Sequence, residues 1–455
     1  MKKNREFSSF RDPSGYIYYE NNKVYRYIDK SYFKEYDYLM SSGLYEELLK
    51  ENLIISHKEV ERNENHILLE VDKVPYISYP YEWSFIELKD AALLTLKINL
   101  ISLKYNMILK DATGYNVTFI NSRPIFIDTL SFMSYEEGTP WGAYGQFSRH
   151  FIAPLLLMKN VDPRLNNMLT NYIDGIPLDI ATNMLKGRGG MTSYLHLKLQ
   201  NKSIQKHNLD GHKEIKEVKI PKDSIINLMK MIERQITKLE LKKNSTEWSN
   251  YYENTNYNDN SFNKKIDTIN ELAANCKLNK NDIIYDIGGN DGLFLRKLKY
   301  NNDKVLFDID YNSIDKSYIE AKENNDNILS LVLDLNNPSS DIGFSNNERK
   351  SFISRANSKL TLALAIIHHL SISNNLPFNM TADFFSKVTK YLIIEFVPKE
   401  DSQVQILLNS REDIFPNYDI DHFKEAYKEY FQIIKEIKIE ESKRTIFLME
   451  RKVVK

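Results

Sequence analysis

The sequence predicts an α/β protein: an open, mostly parallel sheet over residues 246–455, preceded by an α+β region over residues 1–200. Three observations carry this. Five apolar runs, DIIYDI, DKVLFDI, ILSLVLDL, KLTLALAII and KYLIIEFV, alternate with helical patterns, as strands covered on both faces do. A glycine-rich turn, GGNDG, follows the first run and opens a helix-like segment. Two last runs, QIIKEIKIEE and RTIFLMERK, flank the charged turn SKR and predict a terminal antiparallel pair.

The elements follow in order. RDPSGYIYYENNKVYRYI predicts a β hairpin, and HILLEVDKVPYISYPYEWSF predicts strands leading into a hinge. Leu93, Leu96, Leu100, Leu103 and Met107 mark a buried helix. Residues 201–245 are dense in Lys, Glu and Gln and read as a helical charged connector. There Ile225, Met229, Ile232 and Ile236 stand at helical spacing, which predicts an arm packed by one face. Trp248, Tyr251, Tyr252 and Tyr257 lie among asparagines, either as a lid over a ligand or as an aromatic-bearing linker. Within the sheet region, FFSKVTK and HFKEAYKEYF predict helices. The second aligns Phe423, Ala426, Tyr427 and Tyr430 on one face.

Bulk properties narrow the function classes. With 455 residues the chain is long enough for two or three domains with substantial cores. The 61 basic and 62 acidic side chains leave a net charge of −1, so nothing in the bulk charge asks for nucleic acid. A single cysteine, Cys276, excludes an internal disulfide and a thiolate metal cluster. No apolar run approaches the ~20 residues that span a bilayer, and MKKNREFSSFRD lacks the apolar core of a signal peptide. A soluble, cytoplasmic protein without a membrane partner is expected.

The turn reads Asp286-Ile287-Gly288-Gly289-Asn290-Asp291-Gly292. Gly288 and Gly289 allow a sharp turn and close approach of a ligand, and Gly292 allows close helix packing. The spacing is not the G-x-G-x-x-G of dinucleotide sites, and Asp291 inside the turn would be awkward beside a diphosphate. Asp286, Asp308 and Asp334 each close one of three successive strands, at the edge where open α/β sheets bind ligands. A ligand with an ammonium group, a ribose and an adenine amino group could use all three.

The segment resembles the class I S-adenosylmethionine-dependent methyltransferases, whose first motif is D/E-x-G-x-G-x-G; Asn290 stands here at the middle glycine. The resemblance covers about 200 residues, from about Trp248 to the carboxyl terminus. It implies a Rossmann-like seven-stranded sheet and S-adenosyl-L-methionine as cofactor. It also implies that the Asp286 loop, with Gly288, Asn290 and Gly292, faces the methionine moiety, Asp308 the ribose and Asp334 the adenine. The fourth strand's end would then lie beside the transferred methyl, making His369, or else His368, a candidate base; adjacent residues on a strand face opposite ways. Glu395, closing the fifth strand, is a further candidate. No residues at metal-ligand spacing complete a metal site.

In LKDATGYNVTFINSRPIFIDTLSF, Asp111 and Asn116 have the D-x-x-x-x-N spacing of a kinase catalytic loop, and Asp128 follows a strand-like run. This resembles a protein-kinase-like fold, which would make Asp111 a base and Asn116 and Asp128 magnesium ligands. Leu109-Lys110 replaces His-Arg, Thr-Leu follows Asp128, and no glycine-rich phosphate loop is present; Lys23 or Arg26 would have to pair the phosphates. A degenerate kinase-like domain is the expectation. The combination resembles bacterial two-domain methyltransferases related to nodulation host-specificity proteins. The expected activity is methylation of a small-molecule or glycan acceptor. The alternatives are phosphotransfer through Asp111, Asn116 and Asp128, and a non-catalytic cofactor-binding scaffold.

Overall fold

A computed structural model of the chain describes residues 5–186, 188, 197–202, 219–241, 259–409, 412–439 and 442–452. The chain divides into two compact units, one of residues 1–243 with 341–350, the other of residues 244–340 with 351–455. The aromatic segment holding Trp248, Tyr251, Tyr252 and Tyr257 lies outside the described residues.

In the first unit, β1 (Gly15–Glu20), β2 (Lys23–Asp29), β3 (His57–Arg62) and β4 (His66–Val71) form an antiparallel sheet in the order β1-β2-β4-β3. The predicted hairpin turns at Asn21 and Asn22, whose φ values of 51° and 63° suit the paired left-handed positions of a two-residue turn. Helices Phe33–Ser41 and Leu44–Lys50 follow β2. Ile28, Tyr32, Tyr36, Ile67, Leu69 and Leu130 form a core. Helix Phe85–Lys104 starts at a capping box of Ser84 and Glu87 and is buried on most of its circumference. Met107, expected on that helix, instead begins β5 (Met107–Leu109), because the helix ends at Lys104 and Asn106 turns the chain at φ 52°. Then come β6 (Val117–Ile120), β7 (Arg123–Phe126) and β8 (Phe132–Ser134); β6 pairs with β7 and β5 with β8.

Helix Lys222–Thr237 buries Ile225, Met229, Ile232 and Ile236, and Met229 meets Asn99 of helix Phe85–Lys104. Residues 341–350 belong to this unit through charge contacts: Glu348, 1% exposed, takes a two-pronged ion pair from Arg11 at 2.5 and 2.9 Å. Arg349 lies over the Tyr115 ring and Lys350 reaches Glu6 at 2.8 Å. Nothing in the local sequence around 341–350 announces that grouping.

The second unit is a seven-stranded sheet in the order β11-β10-β9-β12-β13-β15-β14. Its strands are β9 (Ile284–Ile287), β10 (Lys304–Asp308), β11 (Ile328–Val332), β12 (Ser358–Ala363), β13 (Thr389–Phe396), β14 (Phe431–Lys438) and β15 (Thr445–Arg451). β9 to β13 are parallel, and β15 runs antiparallel to β13 and β14. Burial follows position. β9 and β11 are buried throughout, whereas β14, at the edge, alternates buried and exposed residues. The strand order reverses beside β9, since β10 and β11 lie to one side and β12 to the other. A crevice at the carboxyl ends of β9 and β12 follows from that reversal. No helix among the described residues is long and apolar enough to cross a membrane.

Candidate active site

A cavity of about 380 Å³ opens at this reversal, lined by the glycine turn from Asp286 to Asn290 but not by Gly292, and by Asp308, Asp334, Phe294, His369 and Arg444 among others. The turn departs from β9 at Gly288, with φ +73°, where an added Cβ would lie 2.2 Å from Ile366. At Gly289 a Cβ would fall 2.5 Å from the Asp286 carboxylate. Asn290 takes φ 54°, the left-handed conformation that asparagine tolerates better than most residues, and Gly292 takes φ +80°. The backbone N–H of Asn290 donates to Asp308 Oδ2 at 2.8 Å, and that of Asp310 to Oδ1 at 2.9 Å. Asp308 therefore ties the turn to the end of β10.

The three strand-end acids meet at this cavity and differ in state. Asp286 is 1% exposed, and neither carboxylate oxygen has a hydrogen-bond partner among the described residues. Burial, reinforced by the Asp308 charge, pushes its pKa up to about 8. Burial likewise raises Asp308, to about 6, against the pull of its backbone donors. Asp334 lies beyond β11 and accepts from the Asn336 N–H at 2.9 Å.

The linkage sign is fixed by these values. In the ligand-free fold Asp286 stays protonated from its unfolded pKa near 4 up to about 8, so the folded state holds the extra proton and stability falls as pH rises through that window. A cation bound beside Asp286 must reverse this by expelling the proton. Titration of a cationic ligand at pH 7 in buffers of different ionisation heat is expected to show release of close to one proton. Asp286→Asn is expected to abolish that release.

Asp291 is a correction. Its side chain does not line the cavity; Oδ2 pairs with Lys316 at 2.7 Å, and its backbone carbonyl accepts from Arg296. Its charge is met by Lys316 and acts on the cavity only from behind, helping to hold the Asp286 carboxyl up.

The histidines also sit differently from expectation. β12 ends at Ala363, and Ala365 takes φ 51°, so His368 and His369 enter a helical turn instead of ending a strand. Strand alternation thus does not apply to them. His369 lines the cavity; His368 does not, and is fully buried with neither ring nitrogen hydrogen-bonded among the described residues. Their ring centroids are 4.1 Å apart. Burial lowers His369 to about 4 and His368 well below its ordinary value, so both are neutral at pH 7.

Glu395 is a second correction. It is fully buried and does not line the cavity. Lys265 donates to its Oε2 at 2.7 Å, and Arg444 lies 3.5 Å from its Oε1. A carboxylate engaged by two cations behind the cavity wall is poorly placed to take a proton from a substrate. Lys265 and Arg444 themselves line the cavity, and sequence reading missed both. Lys265 is 130 positions from Glu395, and no local pattern marks such a pairing.

In the first unit the chain brings Asp111, Asn116 and Asp128 into one hydrogen-bonded cluster. Asn116 Nδ2 donates to Ser131 Oγ at 2.9 Å, and Ser131 Oγ donates to Asp128 Oδ2 at 2.5 Å. Asp111 is held up in pKa by burial and by Asp128, against hydrogen bonds from Thr113, Asn116 and Gln146. Arg26 donates to Asp128 Oδ1 at 2.6 Å, whereas Lys23 pairs with Glu70 at the surface. Both Asp128 oxygens thus already have donors. No group of three or more acidic, His or Cys residues able to hold a metal occurs among the described residues.

No protein-family model matches the chain. Nodulation protein NoeA of Rhizobium meliloti (strain 1021) is 31% identical over 465 residues, covering 98% of this chain and 96% of that protein. The N-methyltransferase NodS from Bradyrhizobium japonicum WM9 aligns at 9% identity and a TM-score of 0.30, over 43% of this chain and 98% of that one. The bifunctional kinase-methyltransferase WbdD aligns at 16% identity and a TM-score of 0.29, over 41% of this chain and only 39% of that one. Likenesses at such scores add nothing to the fold read from the strand order.

Proposed function

This chain belongs to the family of nodulation protein NoeA, and from that footing we propose that its second unit is an S-adenosylmethionine-dependent methyltransferase. The observation that carries the reading is the cavity at the β9–β12 reversal, which acids at or just beyond the ends of three successive strands line together. The strand order, with its terminal antiparallel pair, is the sheet that the resemblance to class I methyltransferases implies.

The residues present fit the cofactor. Asp286 offers two buried oxygens without a hydrogen-bond partner among the described residues, which suit an ammonium group. Asp308 would take ribose hydroxyls and Asp334 the adenine side. A side chain at Gly288 would strike Ile366 and one at Gly289 the Asp286 carboxylate, so both glycines keep this stretch of the turn narrow, and Asn290 lines the cavity beside them. S-adenosylmethionine, when bound, supplies an electrophilic methyl group on a sulfonium. The chain's own part is to orient an acceptor oxygen or nitrogen in line and to remove its proton. His369, neutral at pH 7 and on the cavity wall, is the side chain proposed to hold that proton. Glu395 is proposed as a positioning residue acting through Lys265 and Arg444. The acceptor class proposed is a small molecule or glycan.

Phosphotransfer by the first unit is the weaker reading, because magnesium would have to displace Arg26 from Asp128. A degenerate kinase-like module without metal-dependent activity fits that ion pair better. Calorimetry of the full chain decides between them: saturable S-adenosylmethionine binding is expected, and ATP with magnesium is expected to give no heat. Transfer of a labelled methyl group into an extract fraction, absent in Asp286→Ala, is expected of an enzyme. Saturable binding without any transfer would make the unit a scaffold.

A further inference from the structure

The cavity carries acids at β9, β10 and just beyond β11, and two basic side chains, Lys265 from helix Asp259–Ala273 and Arg444 from the turn entering β15. Lys265 stands near Asp286, whose charge acts on it, so Arg444 is the cation set apart from the acids. Both cations are more than nine-tenths buried, at 2% and 6% exposed. Their counter-ions stand behind the wall, since neither Glu395 nor Asp401 lines the cavity. Asp401 grips Arg444 through Nε at 2.8 Å and a terminal nitrogen at 3.1 Å, fixing the guanidinium plane. Lys265 also lies 4.7 Å from the centre of the Phe294 ring. Arg444 is thus held rigidly at the cavity surface, with the entropy of ordering its long side chain already spent in the fold.

Position assigns Arg444 to the acceptor. β12 and β13 separate β15 from β9, which at ~4.8 Å per strand puts the base of Arg444 roughly 14 Å from the glycine turn. His369 lines the same cavity and is near enough for the Arg444 charge to act on it.

We propose that Arg444, supported by Lys265, is an anion subsite for the methyl acceptor, and that the acceptor carries a carboxylate or a comparably compact anionic group. The inference rests on the methyltransferase reading of the same cavity. The carboxylate of the donor's methionine has the same chemistry, so the test must separate the two sources. A carboxylate meeting a preorganised guanidinium gains a charge–charge attraction and a two-pronged hydrogen bond that a neutral amide of equal shape lacks.

The full chain, saturated with S-adenosylhomocysteine, is titrated with benzoate and with benzamide. Benzoate is expected to bind about tenfold more tightly or better. Arg444→Gln is expected to erase that preference while S-adenosylhomocysteine affinity stays within about twofold. Arg444→Lys keeps the charge without the planar fork and is expected to retain part of the preference; it also serves if Arg444→Gln does not fold. Equal binding of benzoate and benzamide by the unaltered chain overturns the proposal. So does a parallel loss of S-adenosylhomocysteine and benzoate affinity in Arg444→Gln, which would assign the anion to the donor. If S-adenosylhomocysteine fails to bind at all, the methyltransferase reading falls instead, and a surviving benzoate preference marks an anion site of another reaction.

Discussion

Asp308→Ala is expected to weaken S-adenosylmethionine binding by at least about a hundredfold in calorimetry. Two losses combine in that figure. The carboxylate is the proposed acceptor for ribose hydroxyls, and hydrogen bonds to a charged group contribute about 1.5–3 kcal/mol each. It also receives the backbone N–H groups of Asn290 and Asp310, so its removal frees the glycine turn from β10. Asp291→Ala is the informative control. Asp291 sits in the same turn but faces Lys316, outside the cavity, and its removal is expected to change affinity only a few-fold. Equal effects of the two substitutions would show that the turn's net charge matters and that the particular carboxylate does not.

Lys265→Met is expected to destabilise the second unit by about 3–5 kcal/mol, the cost of leaving a buried carboxylate without its nearer partner and with only Arg444 at 3.5 Å. Lys265 is 2% exposed and Glu395 fully buried, at 2.7 Å from each other. Burial already lowers the lysine pKa despite the neighbouring carboxylate, so the pair persists only because each charge answers the other. The double variant Lys265→Met, Glu395→Gln is expected to recover much of the loss, since a neutral amide needs no counter-ion. Denaturant unfolding of the full chain, followed through the transition of this unit, measures both. A double variant no more stable than the single one would show that Arg444 alone suffices to hold Glu395.

Much of the second unit was legible before its structure. DIIYDI, DKVLFDI and ILSLVLDL each place an acid where a strand gives out, and the turn after the first needs backbone conformations that Gly288, Asn290 and Gly292 supply. Such features depend on a few neighbouring residues and can be read from them. The histidine pair shows the limit. KLTLALAII runs on in apolar residues past the true strand end, and only the left-handed Ala365 breaks the alternation before His368. Periodicity cannot announce a turn built from residues that would equally suit a strand.

By itself, the sequence determined the alternation of strands and helices, the closing antiparallel pair, the glycine turn and the three acids. It also placed Asp111, Asn116 and Asp128 in one neighbourhood of the first unit. Tertiary structure alone decided which way these groups face and what they meet. It turned Asp291 away from the cavity, paired Asp128 with Arg26, withdrew Glu395 behind Lys265 and Arg444, and packed residues 341–350 with the first unit. The reason is the range of the forces. Turn geometry and strand burial are settled within a few residues, whereas a buried charge must find its counter-ion wherever the fold brings one. For Glu395 the fold brings Lys265 from 130 residues earlier in the chain.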